Sequence, residues 1–291
     1  MMQTISGVYT ALVTPFNRNG EVDFGLMGEL LEQQIAGGVD GVVPVGTTGE
    51  SPTLTPEEHM KVIEETVKRA NGRCKVMAGT GANCAAEAIQ LTMHAKEIGA
   101  DCSLQVTPYY NKPTQEGLYR HFSVVADCGL PIVLYNVPGR TGTPIAAETI
   151  ARLASHPNVL AVKEAGGSVE RVSEILNLCN IDIMCGDDSL TLPMMSVGAK
   201  GVISVASNII PAEMKQLTDL CLAGDFAGAL PIHRKFYKLF KTLFIESNPI
   251  PVKAAMAMLG KIDEVYRLPL CEMQSGNREK LQKVLEAALA K

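Results

Sequence analysis

The sequence predicts an α/β fold, a (β/α)8 TIM barrel of eight parallel strands that alternate with helices, followed by a C-terminal helical extension. Eight short apolar runs alternate with amphipathic stretches, and most runs are apolar nearly throughout, as in strands buried on both faces. The eight units occupy roughly 220 residues, which is a usual length for such a barrel. The other common arrangement of repeated βα units is an open sheet. The first βα turn lacks the G-x-G-x-x-G pattern of a dinucleotide-binding sheet, so the barrel is favoured.

The predicted strands lie at residues 8–13, 41–45, 75–79, 102–107, 131–137, 159–164, 181–186 and 201–206. Helices are predicted between them, most clearly at 56–70, 85–98 and 170–178. Thr55 is a suitable N-cap for the first of these helices. Pro56 in the first turn and the acids that follow it also favour a helix start.

The pattern changes after residue 224. Residues 226–246, 249–259 and 278–290 all have helical patterns, with no strand between them. We therefore divide the chain into a catalytic barrel at 1–224 and a C-terminal helical region at 225–291.

Composition limits the functional classes. The 291 residues carry 31 acidic and 26 basic side chains and no basic block, so a nucleic-acid partner is not expected. There is no run of about 18 apolar residues, and therefore no predicted membrane span. The N-terminus has no basic, apolar leader, and the eight cysteines form no C-x-x-C pair. These features favour reduced core thiols and a cytoplasmic protein. The five histidines show no metal-ligand spacing, and no metal site is predicted.

Active sites of such barrels lie at the carboxyl ends of the strands, and the most informative residue there is Lys163. It follows Leu160, Ala161 and Val162 near the end of a strand predicted to be buried. Burial disfavours a charged ammonium, and a neutral amine can form an imine with a ketone. The alternative is that Lys163 pairs with Glu164 or extends to the rim of the barrel.

Further candidates end the neighbouring strands. Tyr135 can carry protons, although a core tyrosine with a satisfied hydroxyl is the plain alternative. Arg140, in a Pro-Gly-Arg turn, suits capture of a carboxylate, whereas an isolated arginine is more often a surface residue. The turn containing Thr47 and Thr48 lies between glycines, so its backbone N–H groups and hydroxyls could bind a small anion. The alternative is an ordinary glycine-rich βα turn.

The adjacent acids Asp187 and Asp188 can be interpreted as a magnesium site. A single acidic pair is weak support for a metal. We favour instead capping of the next helix or contact with a substrate hydroxyl.

Six motifs in this order resemble the dihydrodipicolinate synthase family, part of the pyruvate-dependent class I aldolases that include N-acetylneuraminate lyase. The resemblance covers nearly the whole chain. The motifs are GTTGES at 46–51, YYNKPT at 109–114, YNVPGRT at 135–141, VKE at 162–164, GDD at 186–188 and SNPIPVK at 247–253.

The resemblance implies that Lys163 forms an imine with pyruvate. The derived enamine then adds to L-aspartate 4-semialdehyde and gives 4-hydroxy-tetrahydrodipicolinate, in the first committed step of diaminopimelate and lysine biosynthesis. No metal or organic cofactor is implied, because the imine is the electron sink. Tyr135, Thr47 and Tyr110 would form a proton relay, and Tyr110 would reach into a neighbouring subunit. A dimer is thus the expected minimum and a homotetramer, a dimer of dimers, the expected assembly.

The resemblance also implies the substrate contacts. Thr48 would hold the pyruvate carboxylate, and Arg140 would bind the carboxylate of the semialdehyde. The Gly186 backbone and Ile203 would line the pyruvate pocket.

A lysine-inhibition site is implied as well. Its residues would be Ser51, His59, Asn83, Glu87 and Tyr109. Pro52 and Pro56 depart from the residues common in inhibited members of the family. We therefore expect weak or absent inhibition by lysine.

Three alternatives stay open. The nearest is a related lyase that splits a keto-deoxy sugar acid or sialic acid with the same imine chemistry. The second is a metal-dependent aldolase that uses Asp187 and Asp188. The third is a catalytically inactive binding protein, against which the retained Lys163, Tyr135, Arg140 and Thr47 argue.

Overall fold

The structure, a computed structural model, describes residues 4–290. Within this part of the chain, eight parallel strands pair in chain order, and the last pairs with the first, so the sheet closes into a barrel. The predicted fold is confirmed, and each strand end lies within two residues of its predicted position. The strands are β1 (Gly7–Ala11), β2 (Gly41–Val43), β3 (Lys75–Gly79), β4 (Cys102–Val106), β5 (Ile132–Asn136), β6 (Val159–Glu164), β7 (Asp182–Cys185) and β8 (Gly201–Ser204).

Helices surround the barrel and form the C-terminal region. No helix within residues 4–290 combines the length and the apolar character needed to cross a bilayer. The helices are α1 (Phe24–Ala36), α2 (Pro56–Ala70), α3 (Ala85–Glu97), α4 (Gln115–Ala126), α5 (Pro138–Thr141), α6 (Ala147–Leu153), α7 (Glu170–Leu178), α8 (Thr191–Ser196), α9 (Pro211–Leu222), α10 (Phe226–Thr242), α11 (Ile250–Met258) and α12 (Ser275–Leu289). Short 3-10 turns lie at Ser51–Thr53, Asp188–Leu190 and Ala206–Asn208.

Helix α2 starts where its sequence predicts. The Thr55 hydroxyl accepts a hydrogen bond from the backbone N–H of Glu58 at 3.2 Å, and the Glu58 carboxylate accepts one from the N–H of Thr55 at 2.9 Å. These reciprocal bonds satisfy two N–H groups that a helix start otherwise leaves unpaired. The helix ends at Asn71, which adopts the left-handed conformation.

Most strand residues are apolar because both faces of the strands are buried. On β5, Ile132 and Leu134 belong to the large core between barrel and helices, whereas Val133 and Tyr135 belong to a second core inside the barrel. Successive side chains of a strand point to opposite faces, so this alternation fills both layers. It also decides which residues at the strand ends face the barrel axis.

The C-terminal region packs on the barrel. Helix α10 contacts α9, and α12 contacts both α10 and α11. The segment before α12 reaches back across the barrel, where Arg267 donates to the Thr53 carbonyl and pairs with both oxygens of Glu58 at 2.6 Å. Helix α12 begins at Ser275, three residues before its predicted start at 278.

Candidate active site

Lys163 lies near the carboxyl end of β6 and faces the inside of the barrel. Ala161, two residues earlier, belongs to the core inside the barrel, whereas Val162 belongs to the outer core. Because side chains alternate along the strand, Lys163 follows Ala161 to the inside and Glu164 follows Val162 to the outside. The Lys163 residue is only 6% exposed.

Lys163 and Glu164 do not form an ion pair, because Glu164 is on the outer face of the strand with other partners. The Glu164 carboxylate accepts hydrogen bonds from Asn136 Nδ2 at 2.8 and 2.9 Å and from the Gly166 N–H at 2.8 Å. It also lies 3.4 Å from the guanidinium of Arg171. Burial still raises the pKa of Glu164 above its usual value, although these partners oppose the rise.

Tyr135 is the nearest aromatic neighbour of the lysine amine. It pairs with Lys163 in the parallel register of β5 and β6, and Lys163 Nζ lies 4.2 Å from the centre of the Tyr135 ring. The sequence predicted that these two residues occupy adjacent strands, and the barrel confirms this. The phenol is 6% exposed and reaches the same cavity as the amine.

A cavity of about 150 Å³ opens at this end of the barrel and contains most of the predicted site. Its size suits a small keto acid better than a large ligand. Ile203 does not line it: this residue is fully buried in the core inside the barrel, and Val205, two residues further on, forms that part of the wall. The predicted residues in the cavity wall are Thr47, Thr48, Tyr135, Arg140, Lys163 and Gly186.

The turn that carries Thr47 and Thr48 is tightly wound. The Gly46 carbonyl accepts from the N–H of Gly49 at 3.0 Å, and a side chain at Gly49 would come within 2.9 Å of the Val45 backbone nitrogen. Glycine is therefore required there. Val45 and Glu50, at the two ends of the turn, both have positive φ angles, near 54° and 56°. Such angles are uncommon for residues other than glycine and mark a turn held by its surroundings.

Asn248 contacts two residues of the cavity wall, Thr48 and Arg140, and its sequence position had predicted no role for it. Its Nδ2 donates to the Thr48 hydroxyl at 2.9 Å, and its carbonyl accepts from Arg140 Nη2 at 3.0 Å. Asn248 precedes α11, so the C-terminal region contributes directly to the barrel site. Its place in the motif at 247–253 was the one sequence feature that could have indicated a role for this residue.

A buried ion pair lies behind the same turn. Lys253 Nζ is 2.5 Å from Glu50 Oε1, and neither side chain has any exposed area. The amine also lies 4.3 Å from the ring centre of Phe16. Burial lowers the pKa of Lys253, although Glu50 opposes this shift. The pair fixes α11 against the end of the Thr47–Thr48 turn.

The two acids after β7 differ sharply. Asp188 is fully enclosed, and its carboxylate accepts from the Ser204 hydroxyl at 2.5 Å and from the N–H groups of Val205 and Ala206 at 3.1 and 3.0 Å. It therefore caps the turn after β8, and not the next helix as the sequence suggested. Asp187 lines the cavity itself.

Tyr110 points away from this cavity. It is 91% exposed, and its φ of 72° is unusual for a bulky residue. Lys112 in the same loop also has a positive φ, of 45°. Within one chain, the structure therefore does not bring Tyr110 to Tyr135 and Thr47.

Two residues of the implied lysine site, Ser51 and Tyr109, line a second cavity of about 230 Å³. Its wall also contains Pro52 and shares Thr47, Tyr135 and Arg140 with the first cavity. Asn83 Nδ2 lies 3.4 Å from the Tyr109 carbonyl. Desolvation, with a smaller contribution from Glu87, raises the pKa of Tyr109. His59 is buried, with its Nε2 2.8 Å from the Gly79 carbonyl, and it lies behind the cavity wall.

Comparison with known proteins gives consistent matches over nearly the whole chain. Residues 4–288 match the model of the dihydrodipicolinate synthetase family. The chain is 54% identical over 283 residues to the 4-hydroxy-tetrahydrodipicolinate synthase of Geobacter metallireducens, covering 96% of this chain and 97% of that protein.

Solved structures agree. The 4-hydroxy-tetrahydrodipicolinate synthase of Methylacidiphilum fumariolicum superposes with a TM-score of 0.96 at 49% identity, over 98% of this chain and 96% of that one. The dihydrodipicolinate synthase of Aquifex aeolicus gives a TM-score of 0.95 at 53% identity, over 97% of each chain.

Proposed function

The chain belongs to the dihydrodipicolinate synthetase family, and from this premise we propose how its residues carry out the reaction. The protein is a lyase of the class I aldolase type, a 4-hydroxy-tetrahydrodipicolinate synthase in diaminopimelate and lysine biosynthesis. Its substrates are pyruvate and L-aspartate 4-semialdehyde. The family is a cofactor-free one, and we assign no metal or organic cofactor to this chain.

The first step is covalent capture of pyruvate by Lys163. The neutral amine attacks the ketone carbon, a carbon–nitrogen double bond forms, and water leaves. The position of Lys163 supports this role, since its side chain is enclosed in the barrel and lines the small cavity. Tyr135, whose ring contacts the amine, would carry protons to and from the intermediate together with Thr47.

The carboxylate of pyruvate would lie at the Thr47–Thr48 turn. The Thr48 hydroxyl accepts from Asn248, so its own proton remains available for a carboxylate oxygen. The Gly186 backbone would form the opposite wall. A side chain there would come within 2.5 Å of the Ala165 Cβ, so only glycine lets the two strand ends approach this closely.

The second substrate would be held by its carboxylate at Arg140, which Asn248 orients through its carbonyl. Loss of a methyl proton converts the imine to an enamine, whose carbon forms a bond with the aldehyde carbon. The amine of the substrate then attacks the imine carbon. Ring closure releases Lys163 as a free amine and ends the cycle.

Tyr110 would complete the proton relay of a neighbouring subunit. Its almost complete exposure and its strained backbone support this, because strain persists where a function requires it. A pair of chains that exchange Tyr110 is then the smallest active unit. We propose the homotetramer, a dimer of such dimers, as the assembly.

The observation that carries this proposal is the convergence of Lys163, Tyr135, Arg140 and Thr48 on one small cavity. The test is an assay of the purified protein with pyruvate and L-aspartate 4-semialdehyde, run in parallel with sialic acid and keto-deoxygluconate. Product from the first pair alone is expected, also in the presence of a strong chelator. Faster cleavage of a sugar acid would favour the related lyase instead.

A further inference from the structure

Asp187 contributes a carboxylate to the cavity wall, and none of the proposed catalytic or binding steps involves it. It follows β7 and lines the cavity of about 150 Å³ that contains Lys163 and Arg140. It also lines an adjoining cavity of about 300 Å³, together with Lys241 and Phe244. Asp187 and Phe244 are common to both cavities, so this carboxylate stands where the two spaces meet.

The Asp187 carboxylate has no structural partner that would explain its position. Among residues 4–290 no hydrogen bond stabilises its charge, whereas Asp188 next to it is bonded to Ser204, Val205 and Ala206. Desolvation raises the pKa of Asp187, and Lys163 and Lys241 oppose this from a distance. A half-enclosed carboxylate without a bonded partner is costly unless a ligand satisfies it.

The chemistry of the second substrate supplies such a group. L-aspartate 4-semialdehyde carries a carboxylate and an ammonium on the same carbon, so a site for it needs both a cation and an anion close together. Arg140 supplies a guanidinium to this cavity beside the reacting Lys163, and Asp187 is the carboxylate that shares it. An ammonium brought into an enclosed site without an acceptor would lose its hydration and gain nothing in return.

We propose that Asp187 binds the α-ammonium of the aldehyde substrate and so selects an aldehyde that carries an amine. The proposal rests on the function proposed above and extends it to substrate specificity. The larger adjoining cavity is then the approach route of the aldehyde. Before ring closure the ammonium must lose one proton, and the Asp187 carboxylate that holds it accepts that proton, which leaves the neutral amine to attack the imine carbon. Asp188 also borders the adjoining cavity, but its carboxylate is already bonded to Ser204, Val205 and Ala206 and holds the turn after β8 in place.

The test compares Asp187→Asn with wild type on two aldehydes. Succinic semialdehyde has the same carbon chain as the natural aldehyde but no amine. In Asp187→Asn, kcat/KM for aspartate semialdehyde should fall about 10- to 100-fold, the loss of a hydrogen bond to a charged group. Binding of succinic semialdehyde to the pyruvate-loaded enzyme should change less than about threefold, because that ligand never used the carboxylate.

Asp263→Asn is the matched control, since it makes the same change at an exposed carboxylate that pairs with Arg18 on the surface. Its kinetics should equal those of wild type. Asp187→Ser provides a second variant, which removes the carboxylate with less bulk and should show the same difference between the two aldehydes. Borohydride trapping of pyruvate should proceed at the wild-type rate in both Asp187 variants.

Two results would overturn the proposal. One is unchanged kcat/KM for aspartate semialdehyde in Asp187→Asn and Asp187→Ser. The other is an equal loss with succinic semialdehyde, or in pyruvate trapping, which would mean that Asp187 acts on Lys163 and not on the aldehyde. Failure of the proposed function itself looks different, because wild type would then form no product from pyruvate and aspartate semialdehyde, whether or not it traps pyruvate.

Discussion

The buried ion pair between Lys253 and Glu50 gives a sharp prediction about how the C-terminal region supports the site. Their charged atoms are 2.5 Å apart and both side chains are fully enclosed. Lys253→Met would leave the Glu50 carboxylate buried without its cation, and such a loss costs about 3–5 kcal/mol of folding free energy. At about 2 °C per kcal/mol for a chain of this length, the melting temperature should fall by about 6–10 °C.

The assay is urea or thermal unfolding of the assembled protein, with Lys75→Met as the control. Lys75 pairs with Asp101 at 2.7 Å, but its side chain is 53% exposed, so its replacement should cost less than about 1 kcal/mol. The double variant Glu50→Leu/Lys253→Met should be more stable than either single variant, since no unpaired charge remains. The reasoning is refuted if Lys253→Met unfolds like the Lys75 control, or if the double variant is the least stable protein.

Three further predictions concern activity, pH and regulation. Arg140→Ala should lower kcat/KM for aspartate semialdehyde about 100-fold and leave pyruvate trapping nearly unchanged, since a charged contact is lost only in the second step. An equal loss of trapping would show that the assigned role is wrong. Arg267 holds the pKa of Glu58 below its usual value. The stability that this ion pair contributes is therefore fully present above the usual carboxyl pKa, and it is lost as the pH falls through the lowered pKa. Glu58→Gln should thus destabilise the protein at pH 7 and progressively less as the pH falls below the usual carboxyl range, and urea titrations over a series of pH values test this. Micromolar L-lysine should leave activity unchanged, and strong inhibition would contradict the inference drawn from Pro52 and Pro56.

The barrel was predictable because its strands are buried on both faces. Such strands have a local signature, a short run that is mostly apolar, and eight of them alternating with helices are compatible with few topologies. The same regularity placed Tyr135 and Lys163 on adjacent strands, and their register confirms it. It did not decide which residue at the end of β8 reaches the cavity: Ile203 is buried in the core inside the barrel, and Val205, just after the strand, lines the cavity.

The contacts that hold the site were not predictable from local pattern. Asn248 is 200 positions from Thr48, and Lys253 is 203 positions from Glu50. Sequence periodicity relates only residues that are close in the chain. The pattern of the C-terminal helices therefore does not predict which of their side chains contact the barrel. Local pattern also failed to distinguish two adjacent acids. Asp187 lines the cavity, whereas Asp188 caps the turn after β8.

Covalent trapping of pyruvate is the most direct test of the central claim, that an enclosed amine captures the keto acid. Wild-type protein would be incubated with pyruvate, reduced with borohydride and digested, and the modified peptide mapped by mass spectrometry. We expect one added pyruvate-derived group per chain, on Lys163, and none in Lys163→Arg. Modification of Lys253 or of a surface lysine instead, or full turnover by Lys163→Arg, would contradict the account.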